Sequence, residues 1–122
     1  MRTKTSLTLE DANAIAAACK RAAYDLSRAV SVAIVDDSGA LLHFERMEGA
    51  RAYTIELAMA KARAAAAVGL PTRVIAAHSK TDVLPGGAPV LHENACAGAI
   101  GVSGATAEQD EAIAAAGAST LR

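Results

Sequence analysis

The chain has 122 residues, a formal net charge of −1 and an isoelectric point near 6.3, so the size indicates one domain over 1–122 and the charge argues against a nucleic-acid binder. Hydrophobic residues make up 52% of the chain, but 32 residues are alanines, whose burial contributes only about 0.8 kcal/mol per methyl group. We therefore expect stability to come from close approach of helices to a sheet and from a homo-oligomeric interface.

The distribution of apolar residues carries no membrane signal. No apolar run approaches the roughly 20 residues that span a bilayer. The first residues lead into a helix start rather than into the apolar core of a signal peptide, so we expect a cytoplasmic protein without a membrane partner. Cys19 and Cys96 are too few and too far apart for a disulfide framework or a zinc site, and Cys19 falls on an alanine-rich segment where a buried thiol is common.

The first third of the chain predicts a helix and a β-hairpin. Thr8 with a carboxylate three residues later is a variant of the capping box, and it predicts a helix over 9–26. Alternating apolar residues predict a strand over 30–35, and residues 36–39 supply turn chemistry before a second strand over 41–46.

The middle of the chain predicts two helices. Apolar side chains recur at helical spacing over 54–68, and Gly69 followed by Pro71 ends that helix. A second, shorter helix is predicted from Thr72 to Lys80.

The last third predicts a second hairpin and a final helix. Strands are expected over 89–92 and 96–102 with a turn at 93–94, and Thr106 opens a capping box for a helix that reaches about residue 116. The order is therefore helix, two strands, two helices, two strands, helix. Strands joined by hairpins pair antiparallel, so we predict an α+β layered domain and not a doubly wound parallel one.

Glycine is concentrated late in the chain. Five glycines and two prolines lie within residues 84–104, where backbone geometry rather than side-chain bulk is specified. Exposed N–H groups of Gly86 and Gly87 are candidates to cradle an anion. The alternative is a tight loop that feeds a strand packed against a crowded neighbour.

Arg46 and Glu48 stand where the second predicted strand passes into a loop, a place that often presents functional side chains. The planar guanidinium of Arg46 can hold a carboxylate by two parallel hydrogen bonds, and Glu48 is a candidate for proton transfer. The structural alternative is an ion pair between the two residues, or a contact to a neighbouring subunit.

Lys61 has only apolar residues at its helical i±3 and i±4 positions, so no local carboxylate pairs with it. If its ammonium is partly desolvated near Gly86 and Gly87, it can bind an anion or act as an acid, a base or an amine nucleophile. Arg63 has equally unpaired surroundings, so the pattern alone discriminates little. A solvated lysine, or one at a subunit contact, is the alternative.

Ser103 lies in a Gly-Val-Ser-Gly sequence that does not match the nucleophile elbow of hydrolases, and a binding hydroxyl is the better interpretation. With Gly86 and Gly87 it forms the candidate wall of a pocket close to the start of the last helix. The carboxylates of Glu108, Asp110 and Glu111 are explained by the dipole of that helix.

The three histidines, His43, His78 and His92, are dispersed, with no pair at helical spacing, so we predict no metal site within one subunit. His78, His92 or Met47 is a candidate haem ligand. His92 is also a candidate for proton transfer, because imidazole titrates near neutral pH. For each histidine the structural alternative is an ordinary surface residue.

Seven stretches taken together resemble the GlcG/HbpS family of haem-degrading-like domains, which also occurs at the C-terminal end of PduO-type proteins. These stretches are LTLEDA (7–12), VSVAIVD (30–36) with Gly39, FERMEGA (44–50), KAR (61–63), LPGGAP (84–89), GAIGVSG (98–104) and EQDE (108–111). Two departures are Glu48, where the family usually has Asp, and residues 92–96, which replace a plainer hairpin.

The resemblance implies an α/β/α sandwich with helices on both faces of the sheet, assembled into dimers or larger rings such as octamers. It also implies links to haem binding, or to the breakdown of small organic and aromatic acids, including hydrolysis of enamines or imines. Fold is inherited more securely than function.

The leading hypothesis is a protein that binds a small carboxylate-bearing ligand through Arg46, Lys61, Ser103 and the Gly86–Gly87 backbone. In its enzymatic version, Lys61 or Glu48 moves a proton on a small unsaturated or amino-substituted acid. The alternatives are haem as the ligand, and a non-catalytic accessory protein whose glycines serve packing alone.

Overall fold

A computed structural model describes residues 3–79 and 82–121. The helices are α1 (Leu9–Asp25), α2 (Thr54–Val68), α3 (Thr72–His78) and α4 (Ala107–Ala118), and a short 3-10 turn follows at Ser119–Leu121. The strands are β1 (Ser31–Asp36), β2 (Leu41–Arg46), β3 (Gly87–His92) and β4 (Ala95–Ser103). The predicted order α-β-β-α-α-β-β-α is confirmed.

The four strands form one antiparallel sheet in the order β2-β1-β4-β3. Each hairpin supplies one central and one edge strand, and the central strands pair over their whole common length from Ser31↔Ser103 to Asp36↔Gly98. The β3–β4 turn has positive φ at both Glu93 (50°) and Asn94 (67°), the conformation that suits the twist of a two-residue hairpin.

Helices cover both faces of the sheet, as an α/β/α sandwich requires. α1 and α4 pack on one face, where the large aliphatic side chains of the core lie; these include Ile15, Val32, Ile34, Ile100, Val102 and Ile113. α2 packs on the other face, whose buried cluster consists of Ala33, Val35, Ala58, Ala62, Ala65, Ala66 and Ala99. The alanines therefore serve the α2 side, where small residues on both layers bring helix and strands together.

Gly101 on β4 shows how close that approach is. A Cβ at this position would collide with the Ala58 carbonyl oxygen and would lie 2.6 Å from the Ala62 nitrogen, both in the backbone of α2. Only a residue without a side chain fits between the helix and the central strand. The expectation of close helix-on-sheet approach is confirmed at this contact.

The boundaries of α2 and β2 match the predictions, and the other element boundaries differ from them by one or two residues. β3 begins at Gly87 rather than at 89, because Gly87 already pairs with Gly101 of β4, so part of the predicted glycine loop belongs to the sheet. α4 continues to Ala118. α3 ends at His78, and Lys80, where its end was predicted, lies outside the described residues. Among the described helices, none has the length and apolar character needed to cross a bilayer.

Replacing Gly101 by Ala is expected to lower the free energy of unfolding by at least about 2 kcal/mol, because the added methyl group meets backbone that cannot rotate away. Gly69→Ala is the control. Gly69 has φ +79° with no heavy atom within 4 Å of the added Cβ, so it should cost only the strain of a left-handed alanine, about 1 kcal/mol. Urea denaturation of both variants measures the difference, and equal losses would contradict the close-contact explanation.

Candidate functional site

Lys61 is the centre of the candidate site. It lies on α2 with only 3% of its surface exposed, and its Nζ donates hydrogen bonds to the Val102 carbonyl oxygen at 2.8 Å and to Asp110 Oδ2 at 3.3 Å. An ammonium has three N–H groups. The third has no partner among the described residues, and Lys61 lines a cavity. A buried ammonium with an unused donor, on a residue that lines a cavity, can bind an anion there.

Asp110 is the charged partner that the local sequence around Lys61 lacks. It comes from the first turns of α4 and is 4% exposed, and its Oδ1 accepts a hydrogen bond from the Ala105 backbone N–H at 2.9 Å. The Lys61–Asp110 ion pair therefore joins the helix on one face of the sheet to the start of the helix on the other, past the end of β4.

Burial shifts both groups toward their neutral forms. Desolvation lowers the pKa of Lys61, and the Coulombic attraction and hydrogen bond of Asp110 oppose that shift. Desolvation likewise raises the pKa of Asp110, opposed by the charge of Lys61 and by backbone N–H donors. Burial disfavours the charged form of an acid and of a base alike, so the two pKa values move toward each other. Transfer of the proton from Lys61 to Asp110 is therefore easier here than in water.

The cavity at Lys61 has a volume of about 250 Å³. Its polar side chains are Lys61, Asp110, Ser103 and the phenol of Tyr53. The rest of its wall is apolar or backbone and comes from Leu57, Leu84, Pro85, Gly104, Ala105 and Ala107. Of these, Ser103 is 3% exposed and its hydroxyl makes no hydrogen bond to another described residue. The cavity thus combines several polar side chains able to bind a ligand with apolar side chains and the start of α4.

Gly86 and Gly87 stand beside the ion pair. Gly86 has φ +122°, and a Cβ there would lie 3.0 Å from Lys61 Nζ, so only glycine leaves the ammonium its room. The Gly87 N–H donates to the Thr72 hydroxyl at 3.0 Å, and that hydroxyl donates to the Leu84 carbonyl at 2.7 Å. In this structure the Gly87 N–H is therefore engaged by α3, and neither glycine is among the residues lining the cavity.

Arg46 and Glu48 lie elsewhere on the same sheet face. Both are exposed, and Arg46 Nη1 donates to the Ala50 carbonyl oxygen at 2.8 Å. Arg46 on β2 is opposite Ser31 on β1, which in turn is opposite Ser103 on β4, so one strand lies between the strand of Arg46 and the strand that lines the cavity. Within the described ranges, neither Arg46 nor Glu48 lines the Lys61 cavity and no ion pair joins them.

The histidines are as dispersed in the structure as in the sequence. His43 Nε2 is 3.3 Å from Glu45 Oε1 on β2, His78 is exposed at the end of α3, and His92 lies at the β3–β4 turn. In the part of the chain that the structure describes, no group of three or more His, Cys, Asp or Glu side chains could hold a metal ion. Desolvation raises the pKa of the Cys19 thiol to about 12, so that cysteine is an inert core residue.

Asp110 is the residue of the candidate site that sequence reasoning missed. Its carboxylate was explained by the helix dipole, an explanation that needs no burial. A signal was nevertheless present: Asp110 shares a helix face with Ile113, Ala114 and Gly117, all buried. A carboxylate on the apolar face of a helix needs a buried cationic or hydrogen-bonding partner.

Comparison with known proteins identifies the class. Residues 7–119 match the family described as haem degrading protein HbpS-like, and the chain belongs to this family. The protein GlcG of Escherichia coli K12 is 35% identical over 115 residues, which cover 84% of this chain and 85% of GlcG. The predicted GlcG/HbpS relationship is therefore confirmed.

Solved structures show the same fold. A crystal structure of HbpS is 36% identical with a TM-score of 0.89, covering 100% of this chain and 94% of HbpS. A crystal structure of a PduOC complex with haem is 26% identical with a TM-score of 0.87, covering 97% of this chain and 96% of PduOC. The α+β sandwich is thus shared over nearly the full length of each protein.

Removing one partner of the buried pair is expected to destabilise the protein strongly. Lys61→Met or Asp110→Asn leaves the other group desolvated without its counter-charge and should lower the free energy of unfolding by about 3–5 kcal/mol. The double variant should lose clearly less than the sum, because neither charge is then left behind. Urea denaturation of the four proteins measures the coupling.

Lys20→Met is the control. It breaks the ion pair between Lys20 Nζ and Glu45 Oε2, which are 2.9 Å apart at a partly exposed site, so it should lower the free energy of unfolding much less. Additive losses in the Lys61–Asp110 cycle would show that the two residues act independently.

Proposed function

We propose that this protein binds a small carboxylate-bearing molecule in the cavity at Lys61. The single observation that carries the proposal is the buried ammonium whose third N–H has no partner among the described residues and which lines the cavity. A hydrogen bond from an ammonium to a carboxylate contributes about 1.5–3 kcal/mol. It is strongest where water is excluded.

Two further features support an anionic ligand of limited size. The Ser103 hydroxyl and the first residues of α4 line the same cavity, and the start of a helix carries partial positive charge. A volume of about 250 Å³ holds a compact acid of a few carbon atoms or one small ring, since pockets for drug-sized molecules begin at about 300 Å³. The side chains of Leu57 and Leu84 and the ring of Tyr53 supply apolar surface for the rest of such a molecule.

Arg46, Glu48, Gly86 and Gly87 enter the proposal in different ways. Gly86 and Gly87 support it indirectly, by leaving space beside Lys61 Nζ and by tying α3 to the cavity wall. Arg46 and Glu48 belong to the predicted site, and because they are exposed at the end of β2 they contribute only if the ligand or a neighbouring subunit extends to them.

Homo-oligomer formation is part of the proposal. Among the described residues, several large hydrophobic side chains are more than 40% exposed, including Tyr53 and Leu84 beside the cavity. Burial of such side chains in a subunit interface would supply apolar area that an alanine-rich core lacks. An interface at Tyr53 and Leu84 would also close the mouth of the cavity.

Titration with butyrate, followed by isothermal calorimetry, tests carboxylate binding. The wild type should bind butyrate and bind butyramide at least about tenfold more weakly, because the amide lacks the charge that Lys61 recognises. Ser103→Ala, which keeps the ion pair, should weaken butyrate binding by several-fold. Arg46→Ala changes an exposed residue outside the cavity. It tests whether the side chain at the end of β2 contributes to butyrate binding. Equal affinity for acid and amide would contradict the proposal.

Haem is the second candidate ligand, favoured by the solved PduOC complex with haem. The Lys61 cavity offers the iron only the phenol of Tyr53 and no imidazole, thiolate or thioether. A second cavity of about 270 Å³ fits better, since His92 lines it together with the apolar Leu7, Val90, Leu91, Ala97 and Leu121. Met47 is 6% exposed within the core and less able to serve. Bound haem supplies an iron centre whose properties depend on its axial ligand.

Hemin titration monitored by the Soret band tests this second function. If His92 is the ligand, His92→Ala should abolish a stoichiometric Soret shift, whereas His43→Ala, which removes a histidine engaged with Glu45, should leave it intact. A shift that survives replacement of all three histidines and Met47 would indicate nonspecific adsorption of hemin.

A further inference from the structure

The amine of Lys61 is held in a way that suits covalent chemistry as well as binding. Its nitrogen has four tetrahedral positions: one bears the side-chain carbon, and two are directed to Val102 O and Asp110 Oδ2. The fourth is free of described partners, and Lys61 lines the cavity. A proton taken by Asp110 leaves the lone pair directed at Asp110, and rotation about the Cε–Nζ bond turns the lone pair to the fourth position. The amine can then attack an atom placed in the cavity.

Asp110 is placed to handle the protons of such a reaction. Its Oδ1 is occupied by the Ala105 N–H at 2.9 Å, which leaves Oδ2 directed at Lys61 Nζ at 3.3 Å, and Asp110 also lines the cavity. A single oxygen atom thus stands next to the amine and next to the space where a substrate oxygen would lie. That is the geometry required of a general acid and base.

We propose that Lys61 and Asp110 act as an amine nucleophile and its proton carrier, condensing with a small carbonyl compound, and that 2-oxo acids are the class the cavity accepts. The inference rests on the proposed function, because the same cavity must hold the carboxylate of the 2-oxo acid. The carbonyl carbon of a 2-oxo acid is one bond from its carboxylate. Ser103 and the start of α4 can therefore hold the carboxylate while Nζ faces the carbonyl carbon.

The step is a condensation that releases water. Asp110 takes a proton from the Lys61 ammonium, and the freed lone pair forms a C–N bond to the carbonyl carbon as the C=O π pair moves to oxygen. Asp110 returns the proton to that oxygen. Asp110 then transfers a second proton from the nitrogen to the same oxygen, the C–O bond breaks, and water leaves. The third ammonium proton stays on the iminium nitrogen, so neither an oxidant nor a reductant is consumed.

The electrostatics of the pair support this use. Burial lowers the pKa of Lys61 and raises that of Asp110, and both directions increase the share of neutral amine beside a protonated acid. Lys20 behaves in the opposite way, because its hydrogen bond to Glu45 raises its pKa. Lys61 and Lys20 each pair with one carboxylate. Their amines should nevertheless differ in reactivity, so Lys20 is a matched internal control.

Reductive trapping tests the inference. The wild-type protein is incubated with 2-oxobutyrate and sodium cyanoborohydride, and modified lysines are located by peptide mass spectrometry. We expect one adduct per chain at Lys61, formed at least about tenfold faster than any adduct at Lys20. Its rate should fall less steeply than that of Lys20 as the pH is lowered, because burial lowers the pKa of Lys61 and the hydrogen bond to Glu45 raises the pKa of Lys20. Labelling of Lys61 no faster than that of Lys20 would overturn the inference.

Variants separate chemistry from binding. Lys61→Arg keeps the positive charge and should give no adduct at position 61, while Lys20→Met should label at the wild-type rate. Asp110→Asn should slow labelling of Lys61 by about tenfold or more, the contribution typical of a positioned acid or base. Because Asp110→Asn is also expected to destabilise the protein, the folded fraction is measured in parallel by circular dichroism. An unchanged labelling rate in folded Asp110→Asn would refute the role of Asp110.

The outcome also distinguishes this inference from the proposed function. Saturable butyrate binding without any 2-oxobutyrate adduct at Lys61 would retain carboxylate binding and overturn the amine chemistry. Absence of both would overturn the two together. Protection of Lys61 from labelling by added butyrate is the result expected if both hold.

Discussion

The buried ion pair between Lys61 and Asp110 is the constraint on which the site depends. Its two residues come from helices on opposite faces of the sheet and meet where β4 ends, with the Val102 carbonyl as a third partner. An unpaired charge in this position would lower the free energy of unfolding by several kcal/mol, so each residue compensates the buried charge of the other. The pair thereby fixes the position of α4's first turns relative to α2, and it also leaves one nitrogen position directed to the cavity.

Small residues make this arrangement sterically feasible. The α2 face of the sheet is lined by alanines and by Gly101, which allows the helix backbone to approach the central strand closely. Close approach brings the Lys61 side chain to Val102 near the end of β4 and to Asp110 of α4. Gly86 leaves room for Lys61 Nζ, because it has no Cβ that would crowd this atom. Alanines leave the core poor in apolar area, but their small size also makes room for a buried charged group.

A desolvated amine beside a carboxylate is chemically versatile. As an ammonium it can hold an anion, and it can act as a nucleophile once its proton has moved to the carboxylate. Burial lowers the pKa of Lys61 and raises that of Asp110, so it reduces the free-energy difference between these two protonation states. The family relatives share the fold over nearly their whole length, which establishes the scaffold. Function must be argued from the residues of the site, because one fold can support several kinds of ligand.

The sequence by itself determined the element order, the antiparallel sheet and the family, because capping boxes, turn residues and apolar periodicity are local signals. It also singled out Lys61, whose helical neighbours offer no partner, and Gly86 and Ser103, which lie beside it. Only the tertiary structure decided which residues meet. Asp110 is 49 positions from Lys61, and Arg46, predicted to share the site, lies two strands from the cavity. Such distances depend on how helices pack across a sheet, and no local pattern encodes that packing.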